Sequence, residues 1–246
     1  MEVHSHTHPD SYRDHRKKWT HYLWEFLMLF LAVFCGFLAE NQREHMVEHQ
    51  REKKYVRQLL SDLRADSAFF VRLSTALDTI ISHYKRFEEV MSSASPTNYD
   101  ILKAYIKLQS TFTMRPTATT YSEMKSSGSF RYIQNEELTT LIKKYYEGNL
   151  DFLKTNEDLG NDFFKTQVQP FTISHFRMAD IDFMNDKLST PTPVFINRNK
   201  ESELQLMNIM NMYYAYLLLY HENAVKPAAK RLNSIIDLLK KDYHLK

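Results

Sequence analysis

The chain has 246 residues, enough for one or two domains, with 25% charged and 43% hydrophobic residues, both near the average for soluble proteins. It carries only 4 Gly and 7 Pro, which argues against a turn-rich all-β fold and leaves no glycine-rich loop to cradle the phosphates of ATP or NAD. Lys and Arg total 32 against 30 Asp and Glu, a net +2, so no nucleic-acid partner is expected, and the single cysteine, Cys35, excludes an intrachain disulfide or a cysteine-based zinc site.

The start of the chain, VHSHTHPDSYRDH, places His4, His6 and His8 at alternating positions with His15 behind them. Imidazoles in such a tract bind Zn, Ni or Cu. No cysteine or acid is placed to complete a site, so weak metal binding is the expectation and no cofactor is assigned.

From Trp19 to Ala39 the chain reads WTHYLWEFLMLFLAVFCGFLA, with one acid, Glu25, and no Lys or Arg. Its length at about 1.5 Å per residue is roughly 31 Å, the thickness of a bilayer core. A single transmembrane helix is predicted. Trp19, Tyr22 and Trp24 gather at the end flanked by Arg16, Lys17 and Lys18, as interfacial anchors do. A cleaved signal peptide is the competing reading, but the place for a cleavage site, GFLAENQ, runs straight into a charged helical pattern. Arg13, Arg16, Lys17 and Lys18 lie in the six residues before Trp19, against Arg43 alone in the six after Ala39. This bias predicts a cytoplasmic N-terminus and a C-terminal domain on the periplasmic side of a bacterial inner membrane.

Glu25 is expensive in hydrocarbon, about +2.5 to 3.5 kcal/mol for an acid at mid-span, although two turns in it can reach the headgroups. At 100° per residue Glu25, Ala32, Gly36 and Ala39 share one face of the helix. Small residues allow close approach, so this stripe is the expected contact with a second copy of the chain or another membrane protein.

Beyond the span, Glu40, Glu44, Glu48 and Glu52 repeat every four residues, with Arg43 and Arg51 spaced for i,i+3 pairs with Glu40 and Glu48. No Gly, Pro or turn cluster falls between Ala39 and Ser92, which predicts one uninterrupted stalk helix to near Met91. Unbroken from Trp19, it would measure roughly 110 Å. Val56, Leu60, Leu63, Phe70, Leu77, Ile81, Tyr84 and Met91 form a seam at steps of four and three, with Ser67, Ser74 and Glu88 as polar exceptions. SSASPTN ends the helix.

A second helix is predicted over Tyr99 to about Thr111, with Asn98 or Asp100 contributing to its cap. The stretch RPTATTYSEMKSSGSFRYI follows. In it Tyr121, Glu123, Lys125, Ser126, Ser127 and Gly128 are expected to form a helical turn closed by Gly128 in the left-handed conformation, with Ile133 docking the return. Such a corner either packs two helices or presents a ligand or partner contact. A third helix is predicted from Glu136 to Thr166, burying Leu138, Leu141, Ile142, Tyr145, Tyr146, Leu150, Phe152, Leu153, Leu159, Phe163 and Phe164. Residues 169–199 read as an irregular excursion or short helices, and a last helix runs from Glu201 to Tyr243 with a bend expected at Pro227. LQLMNIMNMYYAYLLLY, at Leu204 to Tyr220, is interrupted by Gln205, Asn208 and Asn211 and is read as a buried bundle helix, not a second span.

The expected fold class is all-α: an N-terminal transmembrane helix continuing into a long stalk helix, and a four-helix-type bundle. The boundaries are a basic His-rich tail at 1–18, the span at 19–39, the stalk and first bundle helix at 40–91, and the rest of the bundle at 92–246. One catalytic pattern needs weighing. His45, Glu48 and His49 in HMVEH match the order of inverted zinc proteases, but a third ligand and a shielded pocket are missing from an evidently solvated helix. No nucleophile elbow, paired-acid motif or Ser/His/Asp signature stands out, and no enzymatic activity is expected.

Two stretches carry a family resemblance. WEFLMLFLAVFCGFLAENQREH followed by REKKYVRQLLSDLRAD is similar to the N-terminal signature of a family of uncharacterised bacterial single-pass membrane proteins, whose members often begin with a His-rich leader. TYSEMKSSGSFRYIQNEELTTLIKKYY resembles that family's central motif. The resemblance covers the first quarter and the centre of the chain; it implies a single-pass topology and brings no activity with it. The expected function is that of a non-enzymatic, membrane-anchored helical protein acting through protein contacts as a scaffold, accessory subunit or sensor-like input domain. The alternative is an oligomeric channel or ion-driven membrane subunit using Glu25. Expected partners are the lipid bilayer and a second copy or another membrane protein.

Overall fold

The computed structural model describes residues 14–182, 184–185 and 187–245. The chain is all-α, apart from one two-stranded hairpin among the described residues. It divides into two compact units, Met1–Glu52 and Lys53–Lys246.

Helix α1 runs over Asp14–Met91 without interruption, beginning five residues earlier than the predicted span. In the first unit every side chain from Trp19 to Met46 is exposed. Phe26, Phe30 and Phe34 stack at successive i,i+4 steps, with ring centroids 6.4 and 5.9 Å apart. Among the described residues this is the one helix long and apolar enough to cross a membrane. Past the apolar run, Arg43 Nε donates to Glu40 at 2.9 Å, as the spacing predicts. The Glu48–Arg51 pair does not form; His49 Nδ1 meets Glu52 at 3.1 Å instead.

In the second unit α1 buries a strict four-three stripe: Val56, Leu59, Leu63, Asp66, Phe70, Leu73, Leu77, Ile80, Tyr84 and Phe87. The predicted seam holds at Val56, Leu60, Leu63, Phe70, Leu77 and Tyr84, and is displaced by one residue at Ser67, Ser74, Ile81 and Glu88. Ser67, Ser74 and Ile81 are only half-buried and Glu88 is exposed. The neighbouring phase wins because it buries Leu73 and Phe87 in place of Ser74 and Glu88, admitting one polar residue, Asp66, where the predicted phase admitted three.

The next helix, α2, spans Asn98–Tyr105 and tightens into a 3-10 turn over Ile106–Leu108, ending short of Thr111. Its cap is Thr97, whose hydroxyl accepts from Asp100 N at 3.1 Å while Thr97 N donates back to the Asp100 carboxylate at 3.3 Å. Asp100 thus belongs to a reciprocal capping box, and Asn98 is already inside the helix. After α3, Thr119–Ser126, a longer rod joins α4, Glu136–Lys144, α5, Leu150–Phe163, and α6, Gln169–His175, through π-helical turns at Tyr145–Asn149 and Phe164–Val168. The last rod joins α7, Lys200–Leu219, to α8, Lys226–Tyr243, through a third such turn at Tyr220–Val225.

Two of the three π turns end just before a proline, Pro170 and Pro227. Proline lacks the N–H of the ordinary ladder and its ring crowds the carbonyl four residues back; one wide turn relieves both and lets the helix continue. The rod therefore extends to His175, and the irregular excursion begins at Phe176, not at Gln169. It holds β1, Ile181–Asp182, antiparallel to β2, Lys187–Leu188, with Ile181 opposite Leu188. Asp180, buried, accepts from Arg177 Nε and from Val194 N, both at 2.8 Å, and ties the excursion together.

The long rods and α2 enclose one hydrophobic core. Helix α4 packs on α8, and α5 on α7 and the π turn after it. Helix α1 meets the last rod where Tyr84 stacks on Tyr214 at 3.9 Å and Ser67 Oγ donates to Asn233 at 3.2 Å. In the middle rod Phe152 and Leu159, predicted to be buried, are 50% and 54% exposed. Glu157 takes the inward position between Leu153 and Phe164.

Candidate functional site

The corner read from the sequence is built as expected. Helix α3 ends at Ser126, Gly128 sits at φ 67°, and Ile133 is buried. Nothing lies within 4 Å of the position a Gly128 side chain would take. The requirement for glycine is therefore one of backbone alone, and Gly128→Ala should lower unfolding free energy by about 1 to 2 kcal/mol. A chemical melt of the two proteins side by side checks this, and an unchanged midpoint would contradict it.

The polar groups of the corner are engaged inside the fold. Ser126 and Ser127 hydroxyls donate to the Glu123 carbonyl at 3.1 and 2.7 Å, and Ser127 Oγ also lies 2.7 Å from Ser129 Oγ. Tyr55 OH donates to the Glu123 carboxylate at 3.1 Å. Tyr121 OH and Lys125 Nζ both donate to one oxygen of Glu147, each at 2.6 Å. The two donors hold the Glu147 carboxyl below its ordinary range, Lys125 contributing most. Burial, reinforced by Glu147, holds the Tyr121 phenol well above its ordinary value. The Tyr121 ring lies flat on Tyr146, centroids 4.2 Å apart.

Two acids of α1 that the seam reading passed over fix this corner from beneath. The residue before α3, Ala118, has no side chain able to cap the helix. Asp62 Oδ2 takes that role across space, accepting from Thr120 N at 3.2 Å. One turn along α1, Asp66 Oδ1 accepts from Thr117 N at 2.9 Å and Oδ2 from Tyr145 OH at 3.0 Å. Asp66 is 2% exposed. Burial raises its pKa above the ordinary carboxylate value, offset in part by the two donors. The sequence signal for Asp66 lies in its spacing, seven residues from both Leu59 and Leu73.

Next to the corner lies a cleft of about 340 Å³ between the irregular segment 114–118 and α5. Tyr121 and Tyr146 line it together with Pro116 and Leu153, and Glu157 stands in its wall. Glu157 is 5% exposed and accepts from Met114 N at 2.8 Å. Burial pushes its carboxyl pKa upward, against the Met114 N–H and the Lys154 charge. A larger cleft of about 450 Å³, lined by Gln109, Phe164, Thr172 and Met178 among others, has no charged side chain among its described lining residues. His221, in the last π turn, is buried with neither ring nitrogen hydrogen-bonded; Asp78 lies 3.5 Å from Nδ1. Burial lowers its pKa, keeping the ring neutral at pH 7.

The predicted membrane stripe, Glu25, Ala32, Gly36 and Ala39, lies on the exposed part of α1, and the space around Gly36 is open. A residue missed in the sequence joins it. His21 Nε2 is 3.4 Å from Glu25 Oε1, one turn earlier on the same face. His4, His6 and His8 fall outside the described residues. Among the described residues no group of three His, Cys, Asp or Glu is arranged to hold a metal ion, and His45 and His49 are exposed on α1 with no third ligand. No family model, curated protein or solved structure matches the chain.

Proposed function

We propose that the chain is a membrane-anchored helical protein that acts through protein contacts, as a scaffold, accessory subunit or sensor-like input domain, and not through catalysis. The observation that carries this reading is the exposure of the whole apolar run of α1, where Trp24, Phe26, Met28, Leu29 and Phe37 are each more than 60% exposed. In water each such side chain forgoes about 1.5 to 3 kcal/mol of burial. A helix of this length and composition recovers that energy in lipid. Single-pass insertion in a bacterial inner membrane, N-terminus in the cytoplasm and bundle in the periplasm, follows the charge bias around Trp19. The face of His21, Glu25, Ala32, Gly36 and Ala39 is the proposed contact with a second copy or another membrane protein.

Two measurements test the anchor. The chain should stay with the membrane fraction after alkaline carbonate washing, and alkaline phosphatase fused after Lys246 should be active. Release by carbonate would remove the anchor, and a cytoplasm-maturing fluorescent protein lighting up at that end would reverse the topology. Crosslinking in native membranes with mass spectrometry should recover the chain joined to itself or to a membrane protein; a monomer without neighbours would sink the contact function. The His21–Glu25 pair also supports a second reading, an ion pathway centred on Glu25. Glu25→Gln should then change ion flux in reconstituted vesicles without loss of insertion, and unchanged flux removes that reading.

A further inference from the structure

The cleft beside the corner has a composition that selects its occupant. Its walls are apolar and aromatic, formed by Pro116, Tyr121, Tyr146 and Leu153. Its volume, about 340 Å³, is at the small end of ligand pockets and excludes nucleotides and large cofactors. Among the described residues Glu157 is the one buried carboxylate in the wall, and the Met114 N–H at 2.8 Å is its one hydrogen-bond donor. The nearby cation, Lys154, lines the same cleft but gives its ammonium to Asp158, one turn further along α5. Asp151 adds a second carboxylate to the lining.

A buried carboxylate is stable only when its lone pairs are met and its charge is compensated. Here one backbone N–H does part of that, and the cleft in front of Glu157 is where a further donor can stand. An anion would meet Glu157 and Asp151 with like charge. A neutral apolar molecule would add nothing to the Met114 N–H and the shared Lys154 charge that partly compensate the carboxylate. A cation with an apolar body answers both the charge and the walls, and tyrosine faces favour it further.

We propose that this cleft binds a small organic cation, a primary amine on a short aromatic body, with its ammonium on the Glu157 carboxylate and its body against Pro116, Tyr146 and Leu153. The binding site belongs to the second unit alone and stands whether or not α1 lies in lipid. It would give a sensor-like domain the input such a domain needs.

The test uses the full chain in nonionic micelles, titrated calorimetrically with phenethylamine, with the neutral isostere phenethyl alcohol and with the anion phenylpropionate, each corrected against empty micelles. Saturable binding of the amine is expected, with the alcohol at least tenfold weaker and the anion undetectable. Glu157→Gln keeps an acceptor for Met114 N–H and should weaken the amine at least tenfold while leaving the alcohol unchanged. Asp158→Ala lies on the exposed side of α5 and frees Lys154 to compensate Glu157 from within. It should weaken the amine several-fold without touching the cleft. No saturable amine binding, equal binding of amine and alcohol, or undiminished binding in both variants overturns the proposal. If Glu157→Gln fails to fold, the Asp158→Ala result decides.

Discussion

Replacing Asp66 with Ala should lower the unfolding free energy by about 3 kcal/mol, and replacing it with Asn should leave stability at pH 7 within about 1 kcal/mol of the parent or raise it. Alanine removes the acceptor for two groups at once, the Thr117 N–H and the buried Tyr145 hydroxyl. Each orphaned buried donor costs about 1 to 3 kcal/mol. Asparagine keeps one oxygen for Thr117 N–H, and its amide can donate to Tyr145 OH. It also removes a charge that burial disfavours.

The pH dependence separates the two effects. Burial raises the Asp66 pKa in the folded chain above 3.8, so between that ordinary value and the raised one the folded form binds more protons than the unfolded. Stability from this group is therefore greatest below pH 3.8 and falls as pH rises through the folded pKa; at pH 7 the full penalty is present. Asp66→Asn should gain most over the parent at neutral pH and lose that advantage on acidification. Urea melts of parent and Asn variant across pH 3 to 7 check the sign, and an advantage that grew toward low pH would refute it.

Much of this architecture is legible in residue spacing, and the places where it is not have physical reasons. The corner could be read because Gly128 meets a demand that few other residues satisfy, a positive φ closing a helix before a hydrophobic return. The period of α1 could be read too, but its phase was ambiguous because Leu59 and Leu60, like Ile80 and Ile81, are adjacent apolar pairs. Counting polar residues in each phase separates them, three in the predicted seam against Asp66 alone in the observed one. Glu157 was hidden for a related reason. It sits seven residues after Leu150 and seven before Phe164, on the apolar face, while Phe152 and Leu159 mark by their hydrophobicity a face that stays exposed. Hydrophobicity at those positions outweighed periodicity, and periodicity was the better guide. Two of the three π turns answer the missing N–H and the ring of Pro170 and Pro227, and each π turn shifts every later side chain around the helix axis while leaving no hydrophobic pattern of its own.

The phase of α1 carries the largest stability difference between neighbouring residues. Phe87 has no exposed surface, with its ring tilted against Tyr84 at 6.4 Å and Tyr105 at 6.3 Å. Truncation to Ala removes most of an aromatic ring from a site lined by other rings that cannot collapse into the space, and the expected loss is about 3 to 5 kcal/mol. Glu88, the next residue, is exposed, and Glu88→Ala should change stability by less than about 0.5 kcal/mol. Two seven-residue repeats earlier the same contrast should appear between Leu73→Ala, about 2 to 4 kcal/mol, and Ser74→Ala, near zero. Had the seam run through Ser74 and Glu88, Phe87 and Leu73 would lie beside it and their truncations would be mild. Urea unfolding of the full chain in nonionic micelles, followed by far-ultraviolet circular dichroism, reads all four variants. Comparable losses for Phe87→Ala and Glu88→Ala would show that α1 packs in the other phase, and with it that Asp66 does not reach Thr117 and Tyr145.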